Sequence, residues 1–329
     1  MNKLIIKMSK FPFGLVGFTL SFLAVITILF IQIFVSVSAL VGKSPVIQNN
    51  DISTLLLVFG FILILIDISA LSPHRRAKML AVNSDIQSAK ITVVLTAYND
   101  EESIGAAVDD FKNAPNVVRV IVVDNSSSDN TVNNAQLAGA IVVKETRPGY
   151  GQCVYRALEE GARFTDTDLV ALCEGDSTFR AADLQKFLTY IEHGEVINGT
   201  RIVEQLREPL TQLTNFMYFG NFFVAKILEL KHLGRGTITD VGTTYKMCKS
   251  SFLRNNLKNY NRNINLEFNA HFLDVTLSRG HRIVEIPITF HPRVGTSKGG
   301  NSSNSRALMV GIKMILGIYL GWFFIKRSI

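Results

Sequence analysis

Cysteine is scarce. The 329 residues hold three, Cys153, Cys173 and Cys248, and no CxxC spacing. That excludes a disulfide scaffold and a four-cysteine zinc site, and leaves reduced thiols as the plain reading. Charged residues make up 19% against 47% hydrophobic, which excludes a disordered chain. Acids are absent from residues 1–42 and 306–329. A basic stripe is also missing: the formal net charge is +7, yet residues 91–305 hold 22 bases and 24 acids. The positive excess flanks the apolar runs, where anionic lipid would meet it, and this argues against a nucleic-acid partner. Glu267 and His271 stand four apart without an HExxH motif, so they make no metal pair.

What is present is apolar and long. Residues 13–42 run thirty positions without a charge, and 53–71 follow with only Asp67. About twenty such residues cross a bilayer, so both read as spans, and the first is too long for a signal-peptide core. Lys3, Lys7 and Lys10 precede span one, and Arg75, Arg76 and Lys78 follow span two. The positive-inside rule then predicts a hairpin with both ends in the cytoplasm. Residues 1–72 form this hairpin and 73–90 a basic linker. A third apolar run, 307–325, contains Lys313 and ends in Lys326 and Arg327. Crossing would put those bases outside, so 306–329 reads as an interfacial or membrane-associated helix.

Residues 91–305 change character. Apolar runs rich in Val and Ile at 91–97, 117–124, 140–145 and 168–174 read as buried parallel strands. Amphipathic stretches at 101–113, 129–138 and 149–163 alternate with them, which predicts an α/β fold with a mostly parallel sheet. Ligands in such sheets bind beyond the carboxyl ends of the strands. Those ends are polar here: Tyr98-Asn99-Asp100-Glu101, Asp124-Asn125-Ser126 and Glu174-Gly175-Asp176. Two carboxylates one residue apart suit a hard divalent cation such as Mg²⁺ or Mn²⁺. Asp129-Asn130-Thr131 also reads as a helix cap.

The order AYNDE (97–101), VVDNSSSDNT (122–131), RPGYGQ (147–152) and EGD (174–176) resembles inverting family-2 glycosyltransferases of GT-A fold. GTR (199–201), DVGTTYK (240–246), LEFNA (266–270) and EIPITFHPRVGTSK (285–298) extend the resemblance toward polyprenyl-phosphate sugar transferases, of dolichyl or undecaprenyl type. The resemblance implies a Rossmann-like GT-A domain over 91–305. It implies substrate contacts from Ala97, Tyr98, Asn99, Glu101, Gly151 and Arg201, with Asp124 and Asp129 facing the base and ribose of a nucleoside diphosphate sugar. It implies a metal held by Glu174 and Asp176, and a phosphate clamp of Arg293, Ser297 and Lys298. Glu267 would face the acceptor side, and Asp240 would hold metal or acceptor. Two departures stand out: Asn125 where a second Asp is common, and Glu174 where the family carries Asp.

These expectations combine into an integral membrane enzyme whose catalytic domain lies in the cytoplasm. It would transfer a hexose from a nucleoside diphosphate sugar to polyprenyl phosphate, with inversion. A processive polysaccharide synthase would carry a QxxRW string, and the single tryptophan, Trp322, follows Gly321 instead. A transferase acting on a lipid-linked saccharide or glycolipid hydroxyl stays open, as does a degenerate, transferase-like membrane scaffold.

Overall fold

The computed structural model describes residues 3–42, 51–76, 88–295 and 303–323. The chain divides into two compact units, Met1–Ala77 with Glu229–Arg235, and Lys78–Leu228 with Gly236–Ile329.

In the first unit a short helix, α1 (Lys3–Met8), precedes α2 (Phe13–Leu40) and α3 (Asp51–Ile66). A π-turn at Asp67–Leu71 and a last turn, α4 (Ser72–Arg75), prolong α3, so Phe13–Leu40 and Asp51–Arg75 are each long and apolar enough to cross a membrane. α2 and α3 are antiparallel. Their backbones meet where both carry glycine: a Cβ on Gly17 would lie 2.4 Å from the Gly60 carbonyl oxygen. Small residues at a crossing allow this approach where hydrophobic driving force is absent. Outward residues such as Phe30, Ile33 and Leu55 are exposed and apolar. The one acid in the second run has a partner. Asp67 is fully buried, accepts from the Gly14 amide at 2.5 Å and pairs with Arg75 at 2.6 Å.

The second unit is built on a seven-stranded sheet. Its elements run β1 (Ile91–Ala97), α5 (Ile104–Lys112), β2 (Val117–Asp124), α6 (Thr131–Leu137), β3 (Ile141–Lys144), α7 (Tyr150–Arg163) and β4 (Leu169–Glu174). There follow α8 (Leu184–Tyr190), β5 (Val196–Thr200), α9 (Asn215–Lys231), β6 (Lys246–Lys249), α10 (Ser250–Asn256), α11 (Phe268–Ser278), β7 (Ile283–Pro287) and α12 (Asn304–Leu320). The last three residues of α9 group with the first unit. Strand order is β3-β2-β1-β4-β6-β5-β7, with β6 antiparallel to both neighbours and the other pairings parallel. The order reverses between β1 and β4, and a crevice forms at the carboxyl ends there. Sequence patterning anticipates β1 to β4. It misses β5, β6 and β7, which are short or interrupted by polar residues.

An aromatic cluster closes the core under that crevice. Tyr245 is fully buried, with Phe187 at 4.7 Å, Phe179 at 5.4 Å and Phe111 edge-on at 6.0 Å, and Phe179 also touches Phe290. Each such pair adds about 0.5–1.5 kcal/mol beyond area burial. The cluster joins the loop after β4 to the segment after β7. Two backbone bonds finish the seam, His291 to the Thr178 carbonyl at 3.0 Å and Val294 to the Asp176 carbonyl at 3.3 Å.

At the opposite side of the crevice, α7 starts against the 264–265 backbone. A Cβ on Gly151 would lie 1.7 Å from the Ile264 carbonyl oxygen. Gly151→Ala must therefore displace backbone, and a loss of at least about 1–3 kcal/mol of unfolding free energy is expected. Gly105→Ala, where nothing lies within 4 Å of the new Cβ, should be neutral or stabilising. Thermal and chemical unfolding of both variants in detergent checks the contrast.

Candidate active site

Three neighbouring strands, β1, β2 and β4, are each followed within three residues by a non-glycine residue with left-handed backbone: Asn99 (φ 51°), Ser126 (φ 63°) and Ser177 (φ 62°). Such a conformation costs about 1–3 kcal/mol and persists where surrounding bonds over-determine it. Those bonds are present. The Asn99 amide donates to Ser127 Oγ at 2.8 Å, and Asn99 Oδ1 accepts from the Ser128 amide at 2.7 Å. Glu101 accepts from the Asn130 amide at 2.9 Å, and the Glu101 amide donates to Asp129 at 3.3 Å. Asp129 also accepts from the amide of Thr131, the first residue of α6, at 3.0 Å, so it ties the two loops to the start of that helix. Asp124 is 1% exposed and accepts from the Ser127 amide. Tyr98 is 47% exposed at the rim, while Ala97 is buried beneath it.

Asn125, the first departure from the family pattern, has a structural reason. Its amide nitrogen donates to the Glu145 and Arg147 carbonyls, at 3.2 and 2.8 Å, and its oxygen accepts from the Gly149 amide at 3.0 Å. A carboxylate could not donate twice.

The centre of the crevice is a charge cluster. The Arg293 guanidinium bridges Asp176, at 2.9 Å, and Asp100, at 2.5 Å. Asp176 also accepts from the Thr178 amide at 3.1 Å and from its hydroxyl at 2.6 Å. Arg293 Nε is buried and has no partner among the described residues. Glu174 is half-buried and accepts from Thr244 Oγ1 at 2.6 Å. Burial, and then the charge of Asp176, push its carboxyl above the usual carboxylate range. The side of Gly175 where a side chain would stand is filled by Ile104, whose Cδ1 would lie 2.5 Å from an added Cβ.

Beside this cluster a second set of polar groups is fully committed. Asp240 takes a two-pronged bond from Arg201, at 2.7 and 2.8 Å, and further bonds from Asn221 Nδ2 and the Gly242 and Thr243 amides. Burial would raise this carboxyl, but Arg201 outweighs it and holds the value at about 2. Arg201 and Asp240 thus spend their hydrogen-bonding capacity on each other and on the loop around them. Glu285 backs that loop, accepting from the Thr239 and Asp240 amides at 2.6 and 3.1 Å. Asn269 is a hub. It donates to Tyr150 Oη at 2.8 Å, to the Gly242 carbonyl at 3.1 Å and to Thr244 Oγ1 at 3.3 Å, and accepts from Lys246 Nζ at 3.2 Å. Tyr150 and Thr244 also share a short hydrogen bond, so a polar chain runs from Asn269 to Glu174.

Of the expected residues, the fold gathers Ala97, Tyr98, Asn99, Glu101, Asp124, Asp129, Glu174, Asp176 and Arg293 along the ends of β1, β2 and β4. Glu267 lies apart, at the start of α11, 3.8 Å from Lys313 of α12. Ser297 and Lys298 lie outside the described residues. Asp100, Tyr150, Thr244, Lys246 and Asn269 went unassigned in the sequence, although each sits inside a quoted motif. What sets them apart is burial of a polar side chain, which the sequence does not display.

Lys246 carries a measurable consequence. It is 1% exposed, and burial drives its ammonium down to about 7 from 10.5, with the nearby Asp240 charge opposing. Between those values the unfolded chain binds more protons than the folded one, so stability falls as pH drops through the window and is level below it. The unfolding free energy of Lys246→Met relative to wild type should therefore rise as pH falls from about 10 to 7. Denaturant unfolding at several pH values reads this directly, and a pH-independent difference would contradict it.

Comparison with known proteins fits this geometry. Residues 92–257, half of the chain, match the family described as glycosyl transferase family 2. An uncharacterised glycosyltransferase of Mycobacterium tuberculosis is 29% identical over 231 residues, 70% of this chain and 96% of its own. A dolichyl-phosphate hexose transferase of Haloferax volcanii is 28% identical over 209 residues, 63% of this chain and 86% of its own. Among solved structures, glucosyl-3-phosphoglycerate synthase of M. tuberculosis, in complex with Mn²⁺, UDP and glucosyl-3-phosphoglycerate, superimposes with a TM-score of 0.51 at 16% identity, covering 77% of this chain and 88% of that one. That likeness identifies a GT-A fold. With its family match and its polar crevice at the β1–β4 switch point, the chain belongs to glycosyltransferase family 2.

Proposed function

We propose that this chain transfers a sugar from a nucleoside diphosphate sugar to a polyprenyl phosphate, with inversion, from a catalytic domain on the cytoplasmic side of a membrane. The observation that carries the reading is Arg293, drawn back across the switch point onto Asp100 and Asp176. A departing diphosphate gains negative charge at that point, and a guanidinium held in place stabilises it as the charge develops. Asp124 and Asp129, fixed by neighbouring amides, present oxygens to the base and ribose. The Haloferax relative, a dolichyl-phosphate hexose transferase, supports the acceptor class. The two long apolar helices and the flanking Lys3, Lys7, Lys10, Arg75 and Arg76 support the topology.

The donor set fits a divalent cation. Among the described residues no three His, Cys, Asp or Glu side chains converge on one point, so protein ligands alone do not make a cage. Burial first, and then the charge of Asp176, raise the Glu174 carboxyl above its ordinary range, so added positive charge would stabilise the carboxylate pair. Mg²⁺ is commonly bound in this way, by one or two carboxylates plus substrate phosphates. Bound there, Mg²⁺ or Mn²⁺ would supply charge neutralisation to the diphosphate. The solved structural neighbour holds Mn²⁺ together with UDP, which supports the same use here.

A polyprenyl phosphate needs no general base, because its second pKa near 6 leaves it largely dianionic at neutral pH. Positioning and charge compensation are then the demands on the protein.

Asp176→Asn should lower kcat by at least about 10²-fold, and excess chelator should abolish turnover. Arg293→Lys keeps the charge but loses the bridging fork, so it should also impair turnover, while Lys258→Ala should not. Steady-state rates with purified protein decide this, and full turnover in chelator removes the metal from the reading.

The acceptor is tested by comparing polyprenyl phosphate with the matching polyprenol and with diacylglycerol. Product is expected from the phosphate alone. Equal use of the alcohols would make the acceptor a hydroxyl.

A further inference from the structure

α12 and the residues leading into α11 flank an open cavity of about 450 Å³, within the range of small-molecule sites. Arg306, Met309, Val310 and Lys313 line it from α12. Their spacing of three, four and seven places them on one face of the helix. Both bases of α12 therefore face the same space, with apolar side chains between them. Asn265 and Glu267 form the opposite wall. Glu267 is buried and lies 3.8 Å from Lys313, and Arg306 stands two turns away on the same face of α12.

The wall is joined to the active site. Asn265 Oδ1 accepts from the Gly151 amide at 3.4 Å. Tyr150, the residue before Gly151, bonds to Thr244, and Thr244 to Glu174. The cavity wall is thus tied to the start of α7, next to Tyr150 of the polar chain that reaches Glu174.

α12 is fixed in position rather than draped on the surface. Trp322 donates from Nε1 to the buried Asp274 carboxylate at 2.8 Å. Its ring covers Gly317, where an added Cβ would lie 2.3 Å from the indole. Leu308, Ile312 and Leu316 of the same helix are exposed and apolar. A basic cavity beside an exposed apolar helix edge complements a molecule with an anionic head and a hydrocarbon tail.

We propose that this cavity receives the phosphate head of the polyprenyl phosphate acceptor, with Lys313 and Arg306 as its charge partners and Met309 and Val310 against the first carbons of the chain. The inference rests on the acceptor class proposed above. A free phosphate would satisfy the two bases and leave the apolar wall unused.

Native mass spectrometry of the full-length protein in detergent, titrated with undecaprenyl phosphate, undecaprenol and inorganic phosphate, tests the site without needing the donor sugar. Wild type should bind undecaprenyl phosphate, and neither undecaprenol nor inorganic phosphate should displace it at equal concentration. Lys313→Ala should weaken binding by about tenfold or more, the scale of one charged hydrogen bond. Lys313→Arg should restore most of it, and Lys258→Ala should leave it unchanged. Lys313 is 57% exposed at its side chain, so the variant should fold, and Arg306→Ala gives an independent second reading. Wild-type affinity in both Lys313→Ala and Arg306→Ala would overturn the site while leaving the acceptor class intact. Displacement by inorganic phosphate would make it a free-anion site, and equal binding of undecaprenol would remove head-group recognition. No binding of undecaprenyl phosphate by wild type would overturn the acceptor class itself.

Discussion

The Arg293 bridge is the constraint from which the rest of the catalytic unit can be understood. It joins Asp100 and Asp176, residues 193 and 117 positions away in the chain, across the point where strand order reverses. Two buried carboxylates this close would repel each other, and the guanidinium is the group that lets both remain there. The geometry needs support from below. Phe179 and Phe290 provide it by packing on each other and, through Tyr245, on the sheet. The apolar core therefore determines where the polar crevice can form.

The same device recurs at two further buried carboxylates. Asp240 is held by Arg201, Asn221 and two backbone amides, and Asp67 by Arg75 and the Gly14 amide. Both of these buried charges have a counter-charge and donors, as the cost of desolvation requires. Glu174 differs. It accepts from a neutral hydroxyl, that of Thr244, and the charge of Asp176 raises its carboxyl further. That imbalance separates a group left available for a ligand from groups whose capacity is spent on the fold. It also gives a physical account of the second departure from the family pattern. Glu174 is one methylene longer than Asp, and its carboxylate accepts from Thr244, the middle of the polar chain to Tyr150 and Asn269.

Left-handed backbone at Asn99, Ser126 and Ser177 points the same way. Three strand ends carry this cost side by side, and reciprocal bonds between the 98–101 and 126–131 loops maintain two of them. Such bonds keep the oxygens of Asp124 and Asp129 fixed in advance of any ligand, which reduces the ordering cost of binding.

The sequence by itself determined what depends on local pattern. Apolar runs of helical length marked the hairpin, Val- and Ile-rich runs marked β1 to β4, and the polar residues closing those strands marked the crevice. It could not yield β5 to β7. A four-residue strand such as Lys246–Lys249 has too little periodicity to register, and its antiparallel place between β4 and β5 follows from packing. The resemblance implied a metal role for Asp176 and a metal or acceptor role for Asp240, because sequence carries no record of burial or partners. Only the tertiary structure separated them, by spending Asp240 on Arg201 and leaving Glu174 beside Asp176. The C-terminal run shows the same division. Its apolar and basic content was plain in the sequence, but whether Lys313 and Arg306 face one cavity was decided by Trp322 locking α12 onto α11. The physical reason is common to all three cases: hydrophobic periodicity is a property of neighbours in sequence, whereas charge pairing and cavities are properties of neighbours in space.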